Sequence, residues 1–271
     1  MRLAIIGAGI SGLACADMLA ANGTDVTLFD KSRGVGGRMA TRRIEAQTDV
    51  VALDHGAQYF TARTPSFRAQ VAAWEALGLA ARWPEAGIDA WVGTPTMTAP
   101  VKHIADRHKV ELRRHVHRLW RHDRKWWLQD QGDTTGPFDG IVVALPAEQT
   151  LPFLGMHDLS MARAAIAART QPCWTTMAVF ERHLDIASDL MRDRGLIARA
   201  CRNNAKPGRS VPEAWVVQAS AALSTANLDL GPQNVAEMML DALLSESRDT
   251  QRPVATSLIR ASLAIRDDAW H

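Results

Sequence analysis

An α/β fold is predicted by three features of the first forty residues. A short apolar run, Leu3–Ile6, leads directly into Gly7-Ala8-Gly9-Ile10-Ser11-Gly12. An Ala- and Leu-rich segment, Leu13–Ala21, follows and stops at Asn22-Gly23. A second apolar run, Val26–Phe29, closes on an acid, Asp30. Strand, glycine turn, helix, strand and acid in that order make the first unit of a Rossmann-type dinucleotide-binding domain.

Each residue of the turn has a task. Gly7 lets the strand turn tightly into the helix, Gly9 lets the backbone approach a pyrophosphate, and Gly12 lets helix and strand pack closely. Ala8, Ile10 and Ser11 lie between them, where the helix start presents unpaired N–H groups and the positive end of its dipole to phosphate. Asp30 falls roughly twenty residues after the glycines, where a carboxylate accepts from a ribose 2′-hydroxyl and repels a 2′-phosphate. A lone glycine pattern of this kind is weak evidence. The strand before it, the helix after it and the spaced acid make it specific.

The residues after Asp30 choose the dinucleotide. Lys31-Ser32-Arg33-Gly34-Val35-Gly36-Gly37-Arg38-Met39 contains an R-x-G-G-R segment just after the second strand. It resembles the second signature of FAD enzymes of the amine-oxidase type. The resemblance implies that Gly37 lets the loop pass close to the cofactor, that Arg38 lies near the pyrophosphate, and that Lys31, Arg33 and Met39 belong to the same site. FAD is therefore expected rather than NAD.

Two short strands, Thr41–Ile44 and Val50–Leu53, are read next, leading into Asp54-His55-Gly56-Ala57-Gln58-Tyr59-Phe60-Thr61. The pair G-G-R-M-A-T-R-R and D-H-G-A-Q-Y-F-T resembles the renalase-like branch of the FAD-dependent amine-oxidase superfamily. The likeness continues through Trp91 to Met97, Phe138 to Pro146, Asn203 to Arg209 and Glu213 to Ser220, up to about residue 260. It implies that His55, Gly56, Ala57 and Gln58 run beside the flavin ring. It also implies that a strand near Val116 contacts the adenine end through its backbone, and that the strand ending at Ala144 and Pro146 re-enters the cofactor domain.

Helical spacing of Phe67, Val71, Trp74 and Leu77 after an N-terminal Pro predicts a helix over Pro65–Leu77. Loop and short strand are expected from Trp83 to Pro95, and a helix over Pro100–His108. From Lys102 to Lys125 basic residues crowd together with five of the nine His. Their alternation with Val110, Leu112, Val116 and Leu119 reads as a solvated sheet face, not a nucleic-acid surface. His115 and His117 share a strand face without an evident third ligand, so no metal is assigned. Lys125–Leu128 continues the sheet, Gly132–Pro137 is expected as a turn, and Phe138–Pro146 as a buried parallel strand entering a helix. Beyond it come helices near Met161–Ala168 and Val235–Leu244, with strands near Trp174–Phe180, Trp215–Gln218 and Val254–Ile259. This alternation predicts an inserted α+β substrate domain. The domains are expected at 1–64 plus 98–150 for FAD, and 65–97 plus 151–260 for substrate. An atypical tail follows at 261–271, where the C-terminal cofactor segment of such enzymes is expected to be missing.

With 271 residues, 47% hydrophobic and 22% charged, the composition is that of a globular protein able to bury a sizeable core. A net charge of +2 gives no global pull toward nucleic acid or membranes. No leader and no membrane-length apolar run is read. Cys15, Cys173 and Cys201 are scattered without paired spacing, which fits a reducing cytoplasm. A monomer acting on a small molecule is expected. Nine Trp with one Tyr leave several indoles available to wall a cavity.

No nucleophile motif, metal-ligand motif or spaced carboxylate pair is present, which fits chemistry carried by a cofactor. The resemblance implies oxidation of isomeric dihydronicotinamides, with the hydride at ring position 2 or 6 and oxygen reduced to peroxide. Gln58, Tyr59, Met97 and Trp174 are the candidate substrate residues. The alternatives are an FAD-dependent amine oxidase or desaturase, and a non-catalytic FAD-binding protein or inactive fragment.

Overall fold

The computed structural model describes residues 1–46, 49–168, 170–209, 212–248 and 251–264. The chain divides into two compact units, 1–39 with 101–170, and 40–100 with 171–271. Residues 265–271 of the expected atypical tail lie outside the described residues. No helix among the described residues is long and apolar enough to cross a membrane.

The first unit is built on a four-stranded parallel sheet. Its strands are ordered Gly140–Val143, Arg2–Ile6, Asp25–Asp30, Lys109–Leu112. Helix Ile10–Ala21 links the two central strands. Ala4, Ile6 and Phe29 from the sheet pack with Val116, Leu128, Phe138 and Phe153. These come in part from a three-stranded antiparallel sheet, Val116–His122, Lys125–Asp130 and Asp133–Phe138. Arg118, Arg121, His115 and His117 are exposed, so the basic stretch is the solvated face that the alternation predicts.

The expected turn over Gly132–Pro137 is shorter than its composition suggests. Only Gln131 and Gly132, both at positive φ, make the reversal, and a strand begins at Asp133. The reason is Trp127. A Cβ on Gly136 would lie 2.7 Å from that indole, so this glycine is kept for ring packing within a strand.

The second unit is a five-stranded antiparallel sheet ordered Leu190–Arg194, Ile197–Arg202, Glu213–Ala219, Gln171–Phe180, Ala255–Ala264. Helix Pro232–Leu244 lays Val235, Met239, Leu240 and Leu243 on one face, against Ala178, Trp215 and Val217. The hairpin Thr41–Ala46 and Asp49–Asp54 covers the other face, packing Ile44, Val51 and Leu53 on Met177, Val179 and Val216. This packing explains why residues 40–64 group by compactness with the second unit, although they follow the glycine loop in sequence. Residues 151–170 group with the first unit. A small sheet, Phe60–Thr61, Ala90–Gly93 and Ala80–Arg82, completes the unit beside helix Pro65–Ala76. Thr64 caps that helix through the Phe67 N–H.

Candidate functional site

In the first unit the predicted cofactor residues gather at the carboxyl ends of the parallel strands. The Gly7 N–H donates to the Phe29 carbonyl at 2.8 Å, tying the turn to the second strand. Gly7 has φ +107°, and a Cβ there would meet the Ala144 carbonyl oxygen at 2.5 Å. A Cβ on Gly12 would stand 2.0 Å from the Gly7 carbonyl oxygen and 3.3 Å from the Ala144 Cβ. Both glycines are thus demanded by packing within the chain.

Gly9 is different. It is the N-cap of helix Ile10–Ala21 at φ −77°, ψ 176°, a conformation open to any residue, and no side chain caps this helix. A Cβ there would meet nothing within 4 Å. Nothing inside the unit explains a glycine at this position, whereas a ligand laid against the backbone does. The second glycine loop closes over the same spot. Gly36 N–H donates to the Ala8 carbonyl at 2.9 Å, and a Cβ on Gly37 would approach Gly9 Cα at 3.4 Å.

Asp30 organises the turn. Its Oδ2 accepts from the Ala8 N–H and its Oδ1 from the Ser32 N–H, each at 2.8 Å. A carboxylate oxygen accepts more than one hydrogen bond, so both retain capacity for a ribose hydroxyl. Lys31 reaches the Gln149 side chain at 3.1 Å, while Arg33 and Arg38 are exposed and Met39 is buried. Pro146 stands at the N-cap position of helix Ala147–Leu154. Val116 buries its side chain in the core, leaving only its backbone to meet a ligand. These residues fit the ADP half of a dinucleotide: an uncapped helix start, an open glycine face and a carboxylate at the ribose position.

In the second unit the Asp54–Tyr59 segment is held by a buried charge cluster. Asp54 is 1% exposed. Its Oδ1 accepts from Thr41 Oγ1 at 2.7 Å and the Met97 N–H at 3.0 Å. Its Oδ2 accepts from Lys206 Nζ at 3.4 Å and from Arg209. Burial alone would raise the Asp54 carboxyl, but the Lys206 and Arg209 charges and the hydrogen bonds from Arg209 and Thr41 hold it below the usual range. Lys206, 1% exposed, is pushed down by its own burial and partly restored by Asp54. Its Nζ also donates to Gln58 Oε1 at 2.9 Å. Gln58 in turn donates to the Asp54 and Gly56 carbonyls, and Gln218 donates to Gly56 at 2.8 Å. Two basic side chains thus face one carboxylate, and the Gln58 and Gln218 amides brace the Gly56 carbonyl. His55 is held below its ordinary value by burial and by the Arg42 charge, and its buried Nδ1 has no hydrogen-bond partner.

The four candidate substrate residues divide. Gln58, Met97 and Trp174 are 1%, 0% and 5% exposed. Gln58 is consumed by the charge cluster, Met97 bonds Asp54 through its N–H, and Trp174 donates to the Asn227 carbonyl at 3.2 Å. Each supports the unit from inside, as expected for plain core packing. Tyr59 alone is half-exposed, beside Trp83, Arg192 and Arg199. The resemblance runs through Asn203 to Arg209 without giving Lys206 or Arg209 a role, and nothing in their local sequence marks them as buried. Sequence reasoning also passed over Arg192 and Arg199.

Comparison with known proteins bears on both units. Residues 5–74 match a family model described as an NAD(P)-binding Rossmann-like domain. A segment of 39 residues is 54% identical to 4,4'-diapophytoene desaturase (4,4'-diaponeurosporene-forming) of Staphylococcus aureus; it makes up 14% of this chain and spans only 8% of the desaturase. Among solved structures, a putative protoporphyrinogen oxidase from Exiguobacterium sp. 255-15 superposes with a TM-score of 0.71 at 13% identity, covering 96% of this chain and 86% of that one. A triple mutant of putrescine oxidase gives 0.70 at 13%, with 95% and 84% covered. The fold is the one these two oxidases share. It extends over nearly the whole chain, beyond the Rossmann unit.

Proposed function

We propose that this chain is an FAD-dependent oxidoreductase of the renalase-like type, oxidising isomeric dihydronicotinamides with oxygen as the electron acceptor. The observation that carries the cofactor is Gly9, a glycine with open space where its side chain would be, at an uncapped helix start beside Asp30. FAD supplies a ring system that accepts a hydride. The chain's own residues bind and orient it. N–H groups of the Gly9–Gly12 turn meet the pyrophosphate, Asp30 accepts from the ribose, and the Gly36–Gly37 loop closes against Gly9. In the second unit the Asp54, Lys206 and Arg209 cluster fixes the His55–Tyr59 backbone, which the family resemblance sets beside the flavin ring.

Removing a hydride from a dihydropyridine leaves an aromatic cation, so this substrate needs no general base. The competing reading is an amine oxidase or desaturase on the same scaffold, and the putrescine oxidase and desaturase likenesses favour it. Anaerobic mixing separates the two. The flavin absorbance should bleach rapidly with 2- or 6-dihydronicotinamide dinucleotides and slowly with ordinary NADH, whose hydride is held at a different ring position. Rapid bleaching by a simple amine, with none by the isomers, supports the other reading.

A further inference from the structure

The face of the second unit that carries Tyr59 holds two arginines, Arg192 and Arg199, that no ion pair among the described residues neutralises. Arg192 and Arg199 stand directly opposite one another on adjacent strands. Like charges in that register destabilise a sheet. Both guanidiniums converge on Tyr59, with their central carbons 5.7 and 5.3 Å from the ring centroid. Arg192 also donates to the Tyr59 hydroxyl at 3.3 Å and to the Ala86 carbonyl at 2.9 Å. Three acids of the unit are engaged elsewhere. Asp189 and Glu213 pair with Arg202, and Asp54 pairs with Lys206 and Arg209. Among the described residues no acid forms an ion pair with Arg192 or Arg199. The Arg199 Nε is buried with no partner at all. A buried unpaired donor on a charged group is costly and calls for a ligand.

We infer that Tyr59, Arg192 and Arg199 form the subsite for an anionic group of the substrate, a phosphate or carboxylate, next to an aromatic wall made by Tyr59 and Trp83. Those two rings meet edge-on at 6.2 Å. Guanidiniums present several N–H donors in a fixed fork that suits phosphate and carboxylate oxygens. The same pair repels an ammonium group, so a cationic amine is disfavoured and an anionic substrate is selected. This inference rests on the flavoenzyme reading and narrows its substrate class.

The test uses the protein saturated with FAD, so that the glycine turn is filled before any anion is added. Flavin content is measured first, because a chain without flavin contradicts the enzyme reading and not the subsite. Calorimetric titrations with inorganic pyrophosphate, benzoate and benzylamine then separate phosphate, carboxylate and ammonium recognition. Binding of pyrophosphate or benzoate is expected, weakening as salt is raised, with no binding of benzylamine. Arg199→Met and Arg192→Met should each weaken the bound anion by about tenfold or more, at unchanged flavin content. Arg199→Lys, which keeps the charge but loses the fork and serves if the Met variant folds poorly, should weaken the anion less than Arg199→Met does. Failure of both anions to bind, binding that neither Arg variant alters, or preference for benzylamine would each overturn the assignment.

Discussion

Asp54 shows how a single buried side chain sets the character of the second unit. It is reached by Lys206 and Arg209, which lie 152 and 155 residues away along the chain. Removing its charge strands two buried cations, so Asp54→Asn should destabilise the protein by roughly 3–5 kcal/mol in chemical denaturation. The same residue and His55 set the response to acid. The folded values of both lie below their ordinary ones, 3.8 for Asp54 and 6.5 for His55. As pH falls, the unfolded chain therefore binds each proton before the folded chain does, and stability is lost. Thermal midpoints should begin to fall below about pH 6.5 and fall again below about pH 3.8. His55→Gln should remove the first stage and leave the second. A profile unchanged by that substitution would mean that His55 titrates alike in both states.

At the scale of elements, the glycine turn was legible because its information is local: strand, spaced glycines, helix and acid all fall within thirty residues. The structure adds a distinction that spacing cannot make, because Gly12 is required by the chain and Gly9 by what the chain holds. Gly12→Ala should cost about 1–3 kcal/mol or more of stability, since its Cβ collides with backbone that has little room to move. Gly9→Ala should fold with stability within about 1 kcal/mol of the parent, yet bind FAD at least about tenfold more weakly. Denaturation and flavin titration of the two variants check both halves. Strands Leu190–Arg194 and Ile197–Arg202 were not legible. Arg192, Arg194, Arg199 and Arg202 break the apolar alternation that marks a strand, and their places are set by pairing with distant strands. Gly136 misled for a related reason, as the indole that needs it belongs to the neighbouring strand.

Over the whole molecule, the Rossmann unit and three of the five strands of the second unit's sheet followed from pattern, whereas the composition of the site did not. Nothing in its local sequence marks Lys206 as buried, and only the folded chain reveals it at 1% exposure between Asp54 and Gln58. We propose that the first unit holds FAD without a covalent bond, which the flavin content of the purified chain would reveal. The protein should show a flavin absorbance band and release intact FAD into the supernatant on acid precipitation. Asp30→Asn should weaken that binding by about 1.5–3 kcal/mol through loss of a charge-assisted hydrogen bond. A folded chain that purifies colourless and takes up no FAD on titration would show that the unit does not hold the cofactor, and flavin left in the acid pellet would show a covalent bond.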